Sequence, residues 1–189
     1  MVAAKAIKPV SLEEFIEFAL RPENSNREFE LIYGEIIEAL YTTTYRSQIA
    51  LLVGRAVQSY CNDHHLNCHI SGAMGAYNVQ GHVLLPKFAY KRTRMSDHYP
   101  DPEPPLWVAD IISLNDKADD IRAKRDIYMK AGILRWEIYV PIQQVDVYAP
   151  DQPARTLGIN DTLDGGDVLP GFELPVKDLF SATSQSNAE

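Results

Sequence analysis

Long apolar runs, cysteine and net positive charge are all scarce in this 189-residue chain. No run of about 18 apolar residues occurs, so no transmembrane helix is expected. The opening Met-Val-Ala-Ala-Lys-Ala-Ile-Lys-Pro lacks the apolar core of a signal peptide, and a cytoplasmic location is expected. Only two cysteines are present, Cys61 and Cys68, which is too few for a disulfide framework. Their spacing, with His64, His65 and His69 nearby, fits no common zinc knuckle, and a helix end running into a strand is the expected reading. There is no internal repeat, low-complexity block or interdomain linker.

Eighteen basic residues stand against 26 acidic ones, and a formal charge of −8 argues against a uniformly basic nucleic-acid binder. The basic residues are nonetheless unevenly placed. Lys87, Lys91, Arg92, Arg94, Lys117, Arg122, Lys124 and Arg125 fall in one segment, while acids dominate both ends. Either a local basic face or scattered solvated charge fits that distribution. The length suits one sizeable core, expected over 1–180, with a flexible tail over 181–189.

Periodicity supplies the elements. Ser11-Leu-Glu-Glu14 has the form of a capping box and predicts a helix to about 20, stopped by Arg21-Pro22. Two β-rich arms flank Tyr33-Gly34 and predict a hairpin over 29–38. Ile49, Leu52, Val53, Ala56, Val57 and Tyr60 recur at helical steps and predict a helix over 44–61. Strands are expected at 68–72 and 82–90, then a loop with four prolines over 92–105. The run Leu106-Trp-Val-Ala-Asp-Ile-Ile-Ser113 predicts a central strand buried on both faces. A helix over 117–131, ended by Gly132, precedes a second hairpin over 135–149. This order predicts one α/β domain, a mixed sheet flanked by helices with peripheral hairpins.

Within that frame Asp110 is a carboxylate placed on an apolar strand, where an unpaired charge is costly. Lys124 follows on the next helix. Trp107, Tyr128, Trp136 and Tyr139 read as core residues rather than base-stacking platforms.

Several segments, taken in order, resemble the restriction-endonuclease-like proteins of the PD-(D/E)XK superfamily. They are Glu30-Leu-Ile-Tyr-Gly-Glu35, the central helix, the Pro86-Lys87 strand, Val108-Ala-Asp-Ile-Ile-Ser113, Lys124 through Gly132, Trp136, and Val168-Leu-Pro-Gly-Phe172. The resemblance implies a restriction-endonuclease-like fold and a metal-dependent DNA endonuclease family, with DNA as partner and magnesium or manganese as cofactor. Homodimerisation would pair two sites to cut two strands. It implies an acid directly after a proline, a second acid on the next strand, and a lysine moved to the following helix. Asp110 matches the second acid, one methylene shorter than the usual Glu, and Lys124 matches the helix lysine. Lys87 stands where the first acid belongs, and no histidine begins the central helix.

Such sites need hard oxygen ligands for a divalent cation that activates water and neutralises phosphate charge. Asp110 and the Ile111 backbone carbonyl would be the remaining ligands. Lys87 puts an ammonium where the metal approaches. At about 4 Å and an effective dielectric near 20, like unit charges repel by about 4 kcal/mol, and a divalent ion feels about twice that. The expectation is a degraded site with weak or no cleavage, in which Lys87 neutralises Asp110 in place of a metal. Two rivals stay open. One is an active nuclease recruiting another acid, such as Glu30 or Asp97, with Glu30 and Glu35 as accessory candidates and the loop residues Asp97, His98 and Asp101 as substitute ligands. The other is a non-catalytic nucleic-acid- or protein-binding module. On the residues alone, Glu30 and Glu35 read as surface charge, and Asp110 and Lys124 also admit purely structural roles.

Overall fold

The computed structural model describes residues 8–39 and 41–181; the expected tail from 182 onward lies outside them. Ser11 caps the first helix, α1 (Leu12–Ala19), through a reciprocal capping box with Glu14. A short 3-10 turn leads to the hairpin β1 (Phe29–Ile32) and β2 (Glu35–Glu38). Its turn places both Tyr33 and Gly34 at positive φ, 48° and 78°. The long helix α2 (Thr44–Asp63) follows, then β3 (His69–Gly72), β4 (Tyr77–Val79), β5 (His82–Leu84) and β6 (Phe88–Lys91). After the proline-rich loop come β7 (Trp107–Ile112), α3 (Ala118–Lys130), β8 (Leu134–Tyr139) and β9 (Gln144–Tyr148). The C-terminal part adds β10 (Arg155–Leu157), β11 (Thr162–Gly165), β12 (Leu169–Pro175) and α4 (Val176–Phe180).

The main sheet has six strands in the order β10-β9-β8-β7-β6-β3, with β7 and β8 parallel and the other pairs antiparallel. The parallel pair is joined through α3, as a parallel connection requires. All six residues of β7 are buried, as its composition, apolar but for Asp110, predicts. Trp107, Ala109 and Ile111 join Trp136 and Phe172 in the core shared with α2 and α4. Val108 packs on the other face, with Ile127 and Tyr128 of α3. Asp110 belongs by alternation to that second face.

A second sheet, ordered β2-β1-β5-β4, shares the α3 side of the molecule; Ile32, Tyr77, Val79 and Leu84 meet Ala89 and Val108 there. This corrects the single strand expected over 82–90. The stretch splits at Leu85-Pro86-Lys87, so β5 pairs with β1 and β4 while β6 pairs with β3 and β7. Proline lacks a donor for the ladder and restricts the residue before it. The chain therefore bends from one sheet into the other there, next to Asp110. Four strands went unpredicted: β4, β10 and β11, each only three or four residues long, and the seven-residue β12.

Candidate active site

Continuing the β6/β7 register one step beyond Phe88–Ala109 places Lys87 opposite Asp110, and the Lys87 amide donates to the Ala109 carbonyl at 3.1 Å. The expected Lys87–Asp110 ion pair does not form. The cation on Asp110 is instead Arg135, whose guanidinium lies 3.0 Å from the carboxylate. Parallel pairing sets Val108 beside Arg135 and Asp110 beside Glu137, so all four side chains share the α3 face.

Arg135 is wholly buried. It also lies 3.3 Å from Glu137, donates to the Ile121 carbonyl at 3.2 Å, and sits over the Tyr128 ring. Its contact with Asp110 is close in charge but poorly directed. Asp110 Oδ2, Arg135 Nε and Arg135 Nη2 are all buried without an aligned hydrogen bond. We regard it as an electrostatic pairing rather than a bidentate fork. Glu137 has the better geometry, with Arg125 donating to its two oxygens at 3.0 and 2.5 Å and the Tyr139 hydroxyl at 2.8 Å. The Glu137 hydrogen bond holds the Arg125 guanidinium above its ordinary value.

Glu30 is the second correction, since it is buried in β1 rather than on the surface. One oxygen accepts the Leu85 amide at 2.8 Å, and the other meets the Lys124 ammonium at 2.6 Å. Burial alone pushes Lys124 down. The charges of Glu30 and Asp110 and the Glu30 hydrogen bond outweigh it, so its pKa stands above the ordinary lysine value. Burial also drives the Tyr128 hydroxyl far up, and that group has no partner among the described residues.

Glu30, Lys87, Asp110, Ile111, Lys124 and Arg135 line one cavity of about 210 Å³ between the two sheets. Its walls carry five carboxylates (Glu30, Glu38, Asp110, Asp116, Asp120) and five cations (Arg46, Lys87, Lys117, Lys124, Arg135). The cavity is thus formally neutral, which is poor ground for a divalent cation. Asp116 is further engaged, accepting the Ser113 amide. Among the described residues no three His, Cys, Asp or Glu side chains converge as a metal site. The residues present do not fit the two-acid metal site implied by the resemblance.

The other candidate ligands lie elsewhere. Glu35 is exposed at the start of β2 and Asp97 and His98 are exposed in the loop; none lines the cavity. Asp101 is buried against Lys91 at 2.8 Å. Within the basic segment Lys91, Lys124 and Arg125 are consumed in these internal pairs. Arg135 was not anticipated. The one signal for it was Arg135 and Glu137 two apart on a strand that leads straight out of α3.

A solved structure, that of a putative nuclease belonging to DUF820 from Anabaena variabilis, superposes with a TM-score of 0.76. It is 20% identical, and the match covers 92% of this chain and 98% of that one, which establishes the shared fold. No curated protein matches the chain. Among the described residues no helix is long and apolar enough to cross a membrane. The Uma2 family, described as putative restriction endonuclease, matches residues 12–177, from the first helix to the last. That match spans both sheets and every residue of the charged cavity, and the chain belongs to the Uma2 family of restriction-endonuclease-like proteins.

Proposed function

We propose that this chain is a nuclease-family protein whose metal site has been replaced by an internal ion-pair network, leaving weak or no DNA cleavage. The observation that carries this reading is Arg135 on Asp110 at 3.0 Å. A magnesium ion would have to approach the carboxylate from which a buried guanidinium already draws its compensation. Glu30 is equally engaged, one oxygen on a backbone amide and one on Lys124. Lys87, at the position of the other expected acid, adds a further positive charge to the same wall.

The replacement is electrostatically complete. Three carboxylates (Glu30, Asp110, Glu137) meet three cations (Lys124, Arg135, Arg125) without metal. A buried charge that is already paired gains little from a metal and loses its partner on binding one. Lys124 is committed in the same way: held to Glu30, it is not directed at a scissile phosphate.

A second reading keeps the activity by recruiting Glu30, whose carboxylate lines the same cavity as Asp110. It requires Lys124 and Arg135 both to leave their acids. Calorimetric titration with magnesium and with manganese, paired with a plasmid-nicking assay, separates the two. Absence of both metal binding and nicking is the expected result. Metal-dependent nicking that Asp110→Asn abolishes would establish the second reading instead.

A further inference from the structure

A second, larger concavity of about 660 Å³ runs beside the neutral cavity, between the outer side of α2 and the edge strand β3. Its charge is one-sided. Arg46, Arg55 and Lys87 line it, and no carboxylate does. The protein as a whole carries a net charge of −8, so an acid-free groove with three cations is a local inversion. Among the described residues none of these three cations has an ion-pair partner. Most other cations in the fold are spent, as in Arg27–Glu38, Lys91–Asp101, Arg122–Asp119 and Arg155–Asp164.

The polar remainder of the lining is neutral, with Gln58 and Asn62 on α2 and Ser71 on β3 able to donate hydrogen bonds. The lining follows α2 from Arg46 to Asn62, about 24 Å at 1.5 Å per residue. That length exceeds a small metabolite, while the volume is that of a small-ligand pocket and far too small for a double helix. Phe88 is its sole aromatic residue and is itself buried, so no stacking platform is offered to bases. The two concavities share Thr42, Arg46, Lys87 and Ile111, so Lys87 stands at their junction.

We propose that this groove binds the phosphodiester backbone of one extended nucleic-acid strand, without metal and without base preference, through Arg46, Arg55 and Lys87. The lysine that removes a metal ligand from the cavity thereby becomes the phosphate contact at the groove's end. Chemistry and length both favour this occupant: a repeating anion, linear, and held by two cations spaced along one helix and a third from the segment that leads into β6. Binding of this kind follows counterion release, with a slope of about −0.7 per phosphate for single strands. Three contacts give a slope near −2.

The test is fluorescence anisotropy of a labelled oligothymidylate with full-length protein in EDTA, across a salt series. An affinity that falls about fifteenfold between 50 and 200 mM salt is expected, with an oligoadenylate of equal length bound alike and a duplex bound more weakly. Arg46→Ala/Arg55→Ala/Lys87→Ala should weaken binding by about tenfold or more and flatten the slope. Lys177→Ala, on α4 and outside the groove, should leave both unchanged. Circular dichroism and thermal melting of the triple variant show whether it folds, and Arg55→Ala alone, at an exposed position, provides the fallback. No binding in EDTA, equal loss in Lys177→Ala, or binding indifferent to the groove variants would overturn the proposal. So would a groove variant that shifts the oligomeric state by sedimentation while sparing oligonucleotide binding, since the occupant would then be a second copy. Because metal is absent throughout, failure here is independent of whether the cavity cleaves.

Discussion

Arg135 lies 3.0 Å from Asp110, reaching it from the neighbouring parallel strand with both side chains buried. The consequence for engineering is that Lys87→Asp alone should not rebuild a metal site. The new acid would still face an Asp110 held by a guanidinium. Titration of Lys87→Asp with magnesium should show no gain, whereas Lys87→Asp/Arg135→Gln should bind. A hundredfold excess of metal over its dissociation constant would then raise stability by about 2.7 kcal/mol, readable as a metal-dependent melting shift. A full gain from Lys87→Asp alone would show that Arg135 is not what occupies the site.

Arg135→Gln by itself should be among the most damaging single changes. It strips Asp110 of its cation in a buried setting, at a cost of about 3–5 kcal/mol. Glu137 keeps Arg125 and is protected. Urea unfolding should place Arg125→Gln and Arg135→Gln well apart, with Arg125→Gln the milder because Arg125 is partly exposed.

The Glu30–Lys124 pair should be asymmetric. Lys124→Met leaves a carboxylate buried in β1 with only the Leu85 amide, whereas Glu30→Gln leaves an ammonium with 18% of its side chain accessible. Lys124→Met should therefore cost more, by about 1–2 kcal/mol, in matched denaturant titrations. The reverse order would show that the Leu85 amide satisfies Glu30 unaided.

Two pairs should define opposite edges of the pH–stability profile. The folded pKa of Lys124 lies above its unfolded value of about 10.4, so its contribution is complete below that pH. It is lost as pH climbs through the folded value, and the gap between wild type and Lys124→Met should close there. Asp101 is the mirror case. Burial alone would raise its pKa, but hydrogen bonds from Lys91 and from the Glu103 and Ser96 amides outweigh it and hold the carboxyl below the usual range. Its contribution is complete above about pH 3.9 and is lost as pH falls through the folded value. Asp101→Asn should flatten the acid limb and leave the alkaline limb as it was.

Burial, with the neighbouring Cys61, pushes the Cys68 thiol up to about 12. At pH 8 it should react far more slowly with a disulfide reagent than a free thiol does, and unfolding should release both cysteines together. Fast labelling of native protein would contradict the burial.

Asp110 stood out because it breaks a pattern, an acid in an apolar strand, and Lys124 because it matches the family's step on a helix. Arg135 and Glu30 were hidden by patterns they satisfy. Leu134-Arg-Trp-Glu-Ile-Tyr139 alternates apolar and polar residues, which reads as a strand with one wet face. In the fold α3 covers that face, and both polar residues are buried in mutual pairs. Phe29-Glu-Leu-Ile32 conceals Glu30 in the same way. Burial of a charge depends on what packs over its strand, and that information is distant in sequence: residue 124 for Glu30, residue 110 for Arg135. The Leu85-Pro86 bend was written locally, but the apolar run Val83–Leu85 leading into it masked the change of sheet.

The bend at Leu85 ties architecture to charge through one side chain. Glu30 fastens the Leu85 amide with one oxygen and anchors α3 through Lys124 with the other. It works as a rivet through three parts at once: the second sheet, the crossing segment and the helix. Selection for a stable fold alone is enough to keep a glutamate at this position, with no catalytic demand on it. An acid facing a nuclease cavity is therefore weak testimony to nuclease chemistry in this chain, because the same carboxylate is needed to hold the two layers together.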